Sequence, residues 1–357
     1  MLPPFGWNAI VTVWQFAPVV TGLSAVAAVA YLWGVVRVAR RHPARPWPAW
    51  RTVMFLGGLA VVVLATQSGI GAYDDVLFWD HMVQHLMLLM VAPVLLIFGQ
   101  PVTLLLHASR NPLHTWTKRV LRSPVVSFLT WPVFGFAAYT AAIVAAHLTG
   151  IANLVQSSQA VHNAEHAAFL IIGYLFFLPV IGNEPIRWRL SYPARFIILV
   201  LAMPIDTFTG LMLGYGSAGA PGVAATARPA WAPSPVADLH AGGAVMWVAG
   251  DGLMFALMMI VYMLWSMDDR AAVSGHGWLE AARRTNLASL VASQPAAAGR
   301  PDGPGGPGGS GASQEPEPAS AVATWRDGPG GIDDDEHLAA YNAFLARLNE
   351  AGRGPRP

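Results

Sequence analysis

Cysteine is absent from the 357-residue sequence, and charged side chains make up only 11% of it. The lack of cysteine excludes disulfides, CxxC metal-carrier motifs, thiolate zinc sites and cysteine nucleophiles. The low charge accompanies 54% hydrophobic residues, whereas soluble domains carry about 25% charged residues. A net charge of +1 gives no reason to expect a nucleic-acid partner. We therefore expect an all-α protein whose partner is the lipid bilayer.

The hydrophobic residues are gathered into long runs. A run of about 20 apolar residues is needed to cross the roughly 30 Å of hydrocarbon in a bilayer. Seven runs predict seven transmembrane helices, at residues 13–36, 52–72, 81–106, 124–148, 161–182, 194–214 and 240–266. Prolines inside them are acceptable, because neighbouring helices can satisfy the freed backbone groups. For residues 1–270 we expect a polytopic seven-helix transmembrane bundle.

The basic residues predict how the bundle is oriented. The loops after the first, third and fifth runs, and the tail after the last, are rich in arginine and lysine, whereas the opposite loops contain only Arg228. Because basic loops stay on the cytoplasmic side, the N-terminus is predicted to lie outside and the C-terminus in the cytoplasm. Hydropathy and charge thus agree on an odd number of spans.

The composition changes after the last hydrophobic run. Residues 271–332 contain a long stretch of proline, glycine, alanine and serine, which we expect to be a largely disordered cytoplasmic linker. Residues 333–350 begin with acidic side chains and then carry Leu338, Tyr341 and Leu345 at helical spacing. This pattern predicts a short amphipathic helix, which can lie on the membrane surface or dock a partner.

Six of the eleven histidines fall at the outward ends of the predicted helices, namely His81, His85, His147, His162, His166 and His240. The pairs His81/His85 and His162/His166 are each spaced by four residues, so both imidazoles of a pair share one helix face. Two such pairs at one membrane depth predict a metal site, with Glu165 and Met82 beside them as further ligands. His147 and His240 are additional candidates, although either can equally cap a helix or bind waters.

Ligand type favours one metal over the others. Imidazole suits copper, zinc, iron and nickel, while thioether sulfur selects reduced copper. With Met82 between the first two histidines, the preferred ion is copper, bound at a mixed histidine and methionine site.

Acidic residues form two classes. Asp206 and Asp251 fall near the middle of the sixth and seventh runs, where a charge is costly and rarely kept without a role. They can share a proton, pair with waters or mark a cation path; equally, each can be a protonated acid that is hydrogen-bonded to a neighbouring helix. A second set is expected to be solvated at the outward boundary, namely Asp74, Asp75, Asp80 and Asp238.

Three other functions fit parts of the pattern. His162-x-x-Glu165-His166 matches the HxxEH of inverted zinc peptidases, but no third ligand is evident downstream and the pair His81/His85 has no place in that scheme. The two pairs can instead supply axial ligands to a haem between the third and fifth helices. A copper or other cation transporter is the third alternative, supported by the intramembrane acids.

Three motifs resemble those of the CtaG-type cytochrome c oxidase assembly factors. They are Phe78 to His85 with the following Gln100-Pro101, His162 to Leu170, and Asp238 to Trp247, and the resemblance covers roughly residues 5–270. It implies a non-enzymatic, multipass protein of the bacterial plasma membrane that helps to mature haem-copper oxidase by helping copper to reach the catalytic subunit. The implied partners are the catalytic subunit of the oxidase or other assembly factors.

Overall fold

The structure is a computed structural model that describes residues 2–44, 46–149, 158–216 and 228–292. Within these ranges every regular element is helical. In chain order the elements are α1 (Ala9–Thr12), α2 (Pro18–Arg41), α3 (Ala49–Gln67), α4 (Gly69–Tyr73), α5 (Phe78–Leu86), a π-helical turn (Met87–Val91), α6 (Ala92–Phe98), α7 (Pro101–Ala108), α8 (Leu113–Leu121), α9 (Pro124–Leu129), α10 (Pro132–Leu148), α11 (Gln159–Ile181), α12 (Tyr192–Gly214) and α13 (Pro235–Ala292).

The chain divides into two units, Met1–Asn286 and Leu287–Pro357. The first unit contains the helical bundle. Residues 271–292, the first part of the predicted linker, continue helix α13. The rest of that linker and the predicted amphipathic helix at 333–350 lie outside the described residues.

Six helical segments are long and apolar enough to cross a membrane. They are Pro18–Arg41, Ala49–Tyr73, Phe78–Ala108, Gln159–Ile181, Tyr192–Gly214 and Pro235–Asp268. Each overlaps one of the seven predicted runs. The chain is therefore a multipass membrane protein with an all-helical bundle.

The remaining predicted run, 124–148, is interrupted. Helix α9 ends at Leu129, and Trp131 adopts an extended conformation before Pro132 starts α10. The helical conformation is disfavoured for a residue that precedes proline, because the proline ring crowds the backbone of that residue. Helix α10 alone has 17 residues, about 25 Å at 1.5 Å per residue, which is shorter than the hydrocarbon thickness.

Helices α5 to α7 form the centre of the bundle. Helix α11 packs against the π-helical turn and α6 on one side, and α3 packs against α6 on the other. The π turn precedes Pro93, and the N–H of Ala92 bonds to the carbonyl of Met87 one residue further back than in an α-helix. Gly173 of α11 lies so close that an added Cβ would overlap the carbonyl oxygen of Leu89. The two helices therefore meet backbone to backbone.

The far end of this central segment is held by Glu184. Gln100 has a positive φ of 50° and turns the chain into α7. The Glu184 carboxylate accepts hydrogen bonds from the first free N–H groups of α7, those of Val102 at 3.0 Å and Thr103 at 2.8 Å. A carboxylate at a helix N-terminus satisfies donors that have no partner within the helix.

Candidate metal centre

Five of the six outward histidines meet at one end of the bundle. His81 and His85 lie at the start of α5, His147 ends α10, and His162 and His166 lie at the start of α11. The ring centroids are 4.0 Å apart for His81 and His85, 4.3 Å for His162 and His166, and 5.3 Å for His81 and His162. We call these five side chains the histidine layer. Both four-residue pairs belong to it.

The histidine layer contains two sets of converging ligands. His81, His85 and Glu165 form one, which we call the inner group, and their ligand atoms lie within 4.8 Å of one another. Asp74, His162 and His166 form the other, which we call the outer group, within the same limit. No residue belongs to both. Side chains from two different helical segments complete each group.

Hydrogen bonds assign the tautomer of His85. The Nδ1–H of His147 donates to the carbonyl of Ile143 at 2.8 Å, so the neutral ring has a bare lone pair at Nε2. That Nε2 lies 3.2 Å from His85 Nδ1 and accepts its proton. The remaining nitrogen, His85 Nε2, is then unprotonated in the neutral ring, because each neutral imidazole carries one N–H.

An unpaired nitrogen therefore faces an unpaired oxygen. His85 Nε2 and Glu165 Oε2 are 3.4 Å apart, both are buried, and neither has a hydrogen-bond partner. Buried polar atoms are normally satisfied because leaving one unpaired costs about 1–3 kcal/mol. A nitrogen lone pair and a carboxylate oxygen turned toward each other need a cation or a proton between them. The residues thus fit a metal ion.

Gln84, which the sequence reasoning missed, orders the outer group. Its side-chain Nε2 donates to the carbonyl of Ala65 at 2.9 Å and to Asp74 Oδ2 at 2.8 Å. Its Oε1 accepts from His166 Nε2 at 2.9 Å, which leaves the Nδ1 of a neutral His166 bare. A glutamine inside an apolar run, one residue before His85, was the signal that could have revealed it.

Three of the four acids expected to be solvated are buried, so that expectation was wrong for them. Asp74, Asp80 and Asp238 are 8%, 1% and 0% exposed, whereas the Asp75 side chain is 63% exposed. Asp80 lies in the first turn of α5 and Asp238 in that of α13, and tertiary contacts that hydropathy could not indicate bury them. Burial and the neighbouring Asp75 raise the pKa of Asp74 to about 7.

Asp238 fixes the position of α5. Its carboxylate accepts from the N–H of Phe78 at 2.8 Å and of Trp79 at 3.0 Å, and it pairs with Arg228 at 2.8 Å. These are the free N–H groups of the first turn of the helix that carries His81 and His85, so the cap orients the first pair.

His240 and Met82 are placed differently from the other candidates. His240 is exposed and its Nε2 lies 3.1 Å from the carbonyl of Gly216; it belongs to neither ligand group. Met82 is 1% exposed and lines a small cavity that lies against His85 and His147. The rest of the lining includes Met90, Met246, Leu86, Leu89, Ile143, Phe169 and Asp206.

The two intramembrane acids are hydrogen-bonded to hydroxyl groups. Asp206 is 1% exposed and accepts from the hydroxyl of Tyr139 on α10 at 2.9 Å. Asp251 accepts from Thr207 of α12, while its Oδ1 is buried without a hydrogen-bond partner. Asp206 also lines the cavity, whereas the contact of Asp251 joins α13 to α12.

Comparison with known proteins shows sequence similarity to one family and to mycobacterial proteins. Residues 29–268 match the family Caa3_CtaG, described as cytochrome c oxidase caa3 assembly factor. Uncharacterized proteins of Mycobacterium bovis and Mycobacterium tuberculosis are each 31% identical over 274 residues, which is 74% of this chain and 41% of theirs. The chain thus spans less than half of their length. No solved structure matches the chain. With the matched region covering the helices that carry the histidine layer, the chain belongs to the Caa3_CtaG family of cytochrome c oxidase caa3 assembly factors.

Proposed function

We propose that this protein assists the assembly of haem-copper cytochrome c oxidase by binding copper in the histidine layer and passing it on as cargo. The observation that carries the proposal is the pair His85 Nε2 and Glu165 Oε2, buried, 3.4 Å apart and without hydrogen-bond partners. Family membership supplies the client class, the components of the oxidase. The specific partner is then the catalytic subunit or a second assembly factor.

The ligand chemistry supports copper as the ion. In the inner group, His81, His85 and Glu165 offer two imidazoles and one carboxylate, a set that suits copper or zinc. The buried thioethers of Met82, Met90 and Met246 line the cavity that adjoins His85 and His147. Soft sulfur favours reduced copper over zinc, so the lining of this small cavity favours copper as the ion.

The proposed site faces outward from the plasma membrane of a bacterium. We take the interrupted pair α9 and α10, which covers the predicted run 124–148, as one further crossing beside the six long helices, and this supports an odd number of crossings. The histidines lie at the N-terminal end of the segment Phe78–Ala108, while Arg41 donates to the carbonyl of Ala108 at the other end. A cytoplasmic location of the arginines therefore puts the histidine layer outside.

The proposal includes no turnover, and the packing disfavours the enzyme alternatives. A zinc peptidase of the HxxEH type needs its glutamate next to the ion bound by both histidines, whereas Glu165 converges with His81 and His85 rather than with His162 and His166. A haem would need a slot between histidines of different helices, but the rings of His81 and His162 are only 5.3 Å apart.

Metal analysis and oxidase assembly test the function together. We expect the purified protein to contain copper and the variant Glu165→Gln, which keeps the side-chain shape, to lose part of it. Cells in which this variant replaces the native chain should assemble less active oxidase at limiting copper. His240→Ala, outside both ligand groups, is the matched control and should retain copper and oxidase activity.

Three outcomes would contradict the proposal. A full level of active oxidase at limiting copper in the double variant His81→Ala/His85→Ala would show that the metal role is wrong. Protease activity or a Soret band in the purified protein would favour the peptidase or the haem protein. Net copper flux into proteoliposomes would favour a transporter that uses Asp206 and Asp251.

A further inference from the structure

The two ligand groups of the histidine layer are separate in their residues. A metal ion binds nitrogen and oxygen ligands at roughly 2.1 Å, so the ligand atoms of one ion lie about 4 Å apart at most. The ligand atoms of the outer group, Asp74, His162 and His166, lie within 4.8 Å of one another, so small adjustments bring them to that limit. The inner group does so independently. One ion cannot reach all six side chains.

Each group also contains a buried atom that lacks a partner. In the outer group it is His162 Nε2, 3.7 Å from Asp74 Oδ2. In the inner group the atoms are His85 Nε2 and Glu165 Oε2. An ion in one group would leave the unpaired atoms of the other unsatisfied, and buried polar atoms are rarely left without a partner.

Each group has its own residue that fixes a ring. Gln84 Oε1 accepts a hydrogen bond from the Nε2–H of His166, and His147 Nε2 accepts one from the Nδ1–H of His85. Metal-binding histidines commonly donate their second ring N–H to such a partner, which orients the ring and raises its basicity. A single metal site would need only one such hydrogen-bond partner. The two ligand groups have two, which are different residues.

From these observations we infer that the histidine layer holds two copper ions at once, one in the outer group and one in the inner group. The inference rests on the proposed function, because it takes copper as the cargo. Asp75, with an exposed side chain 3.7 Å from His162 Nδ1, borders the outer group, and the methionine-lined cavity borders the inner group. Copper is taken up at the outer group and passes to the inner one.

Copper titration of the full-length protein in detergent tests the inference. We expect two Cu²⁺ ions per chain in the native protein and one in each of the isosteric variants Asp74→Asn and Glu165→Gln. His240→Ala should still bind two. Electron paramagnetic resonance should show a dipolar-broadened signal in the native protein, because the groups are adjacent, and a resolved mononuclear signal in either variant.

The outcomes separate this inference from the proposed function. A single Cu²⁺ ion per native chain, or loss of all copper in either variant, would overturn the two-ion arrangement while leaving a copper role intact. Absence of copper binding altogether would overturn both. If Asp74→Asn or Glu165→Gln does not yield folded protein, His166→Gln and His81→Gln remove one ligand from each group and carry the same expectations.

Discussion

At the scale of single residues, hydrogen bonds decide which ring nitrogens can bind a cation. His147 is brought into the histidine layer, yet both of its nitrogens are engaged, one by Ile143 and the other by His85. We therefore expect it to position His85 rather than to act as a ligand. Four-residue spacing identifies the pairs, but it does not reveal which nitrogen faces which neighbour.

Replacing His147 separates these two roles. In His147→Leu the His85 ring loses the acceptor of its Nδ1–H and can rotate. We expect the number of bound copper ions to stay the same while copper affinity falls about 10–100-fold, the usual effect of losing such a partner. Competition titration with a copper chelator measures the affinity.

His240→Leu is the control for this experiment, because His240 is an exposed histidine outside the ligand groups. It should leave the affinity unchanged. Loss of one whole ion in His147→Leu would mean instead that His147 is itself a ligand.

Part of the site could be predicted from residues alone. Both histidine pairs and Glu165 follow from helical spacing, and the structure brings them together. Asp74 and Gln84 could not be placed in the same way. Asp74 follows a predicted span like any loop residue, and its burial depends on tertiary contacts such as those with Gln84 and His162. The role of Gln84 is evident only from its contacts with Ala65 and His166.

At the scale of helices, hydropathy predicted where the long segments lie because burial in lipid needs long apolar runs. It did not predict the break between α9 and α10 or the π turn, since both depend on how prolines are accommodated by neighbours. It also missed the carboxylates that hold the central segment at both ends. Asp238 and Glu184 lie far from that segment in the chain, so only the tertiary fold shows their role.

The contact between α11 and the π turn leaves no room for a methyl group. An alanine at position 173 would overlap the backbone carbonyl of Leu89, which cannot move as a side-chain tip can. We expect Gly173→Ala to lower the free energy of unfolding by about 1–3 kcal/mol, the usual cost of overpacking. Thermal or denaturant unfolding in detergent measures the change.

Gly57→Ala provides the control for this substitution. An added Cβ at Gly57 has no atom within 4 Å, and alanine is favoured over glycine inside a helix by about 1 kcal/mol. The stability of Gly57→Ala should equal or exceed that of the native protein. Equal stabilities for both variants would mean that α11 and the π turn pack less closely than described.

At the scale of the whole molecule, the two ends of the central segment Phe78–Ala108 carry different kinds of side chain. The histidine layer lies at one end of the segment Phe78–Ala108, and the contact of Arg41 with Ala108 lies at the other. The sequence predicted this polarity from the alternation of basic loops. It could not indicate that Asp74, Asp80 and Asp238 are buried, because their burial depends on tertiary contacts.

The absence of cysteine allows a direct test of orientation. Trp7 is 80% exposed, and Lys118 is exposed on α8. In whole cells, Trp7→Cys should react with a membrane-impermeant maleimide, whereas Lys118→Cys should react only after permeabilisation. The native protein is the control and should not react. The reverse pattern would place the histidine layer on the cytoplasmic side.

The close contact at Gly173 also bears on the two ligand pairs. Gly173 lies seven residues after His166, about 10 Å along α11, and it touches Leu89, four residues after His85. This contact sets the separation of the two helices just below the layer. A larger side chain there would wedge α11 outward and lengthen the gap between the pairs without altering a ligand. Gly173 would thus set the distance between two bound copper ions without binding either of them.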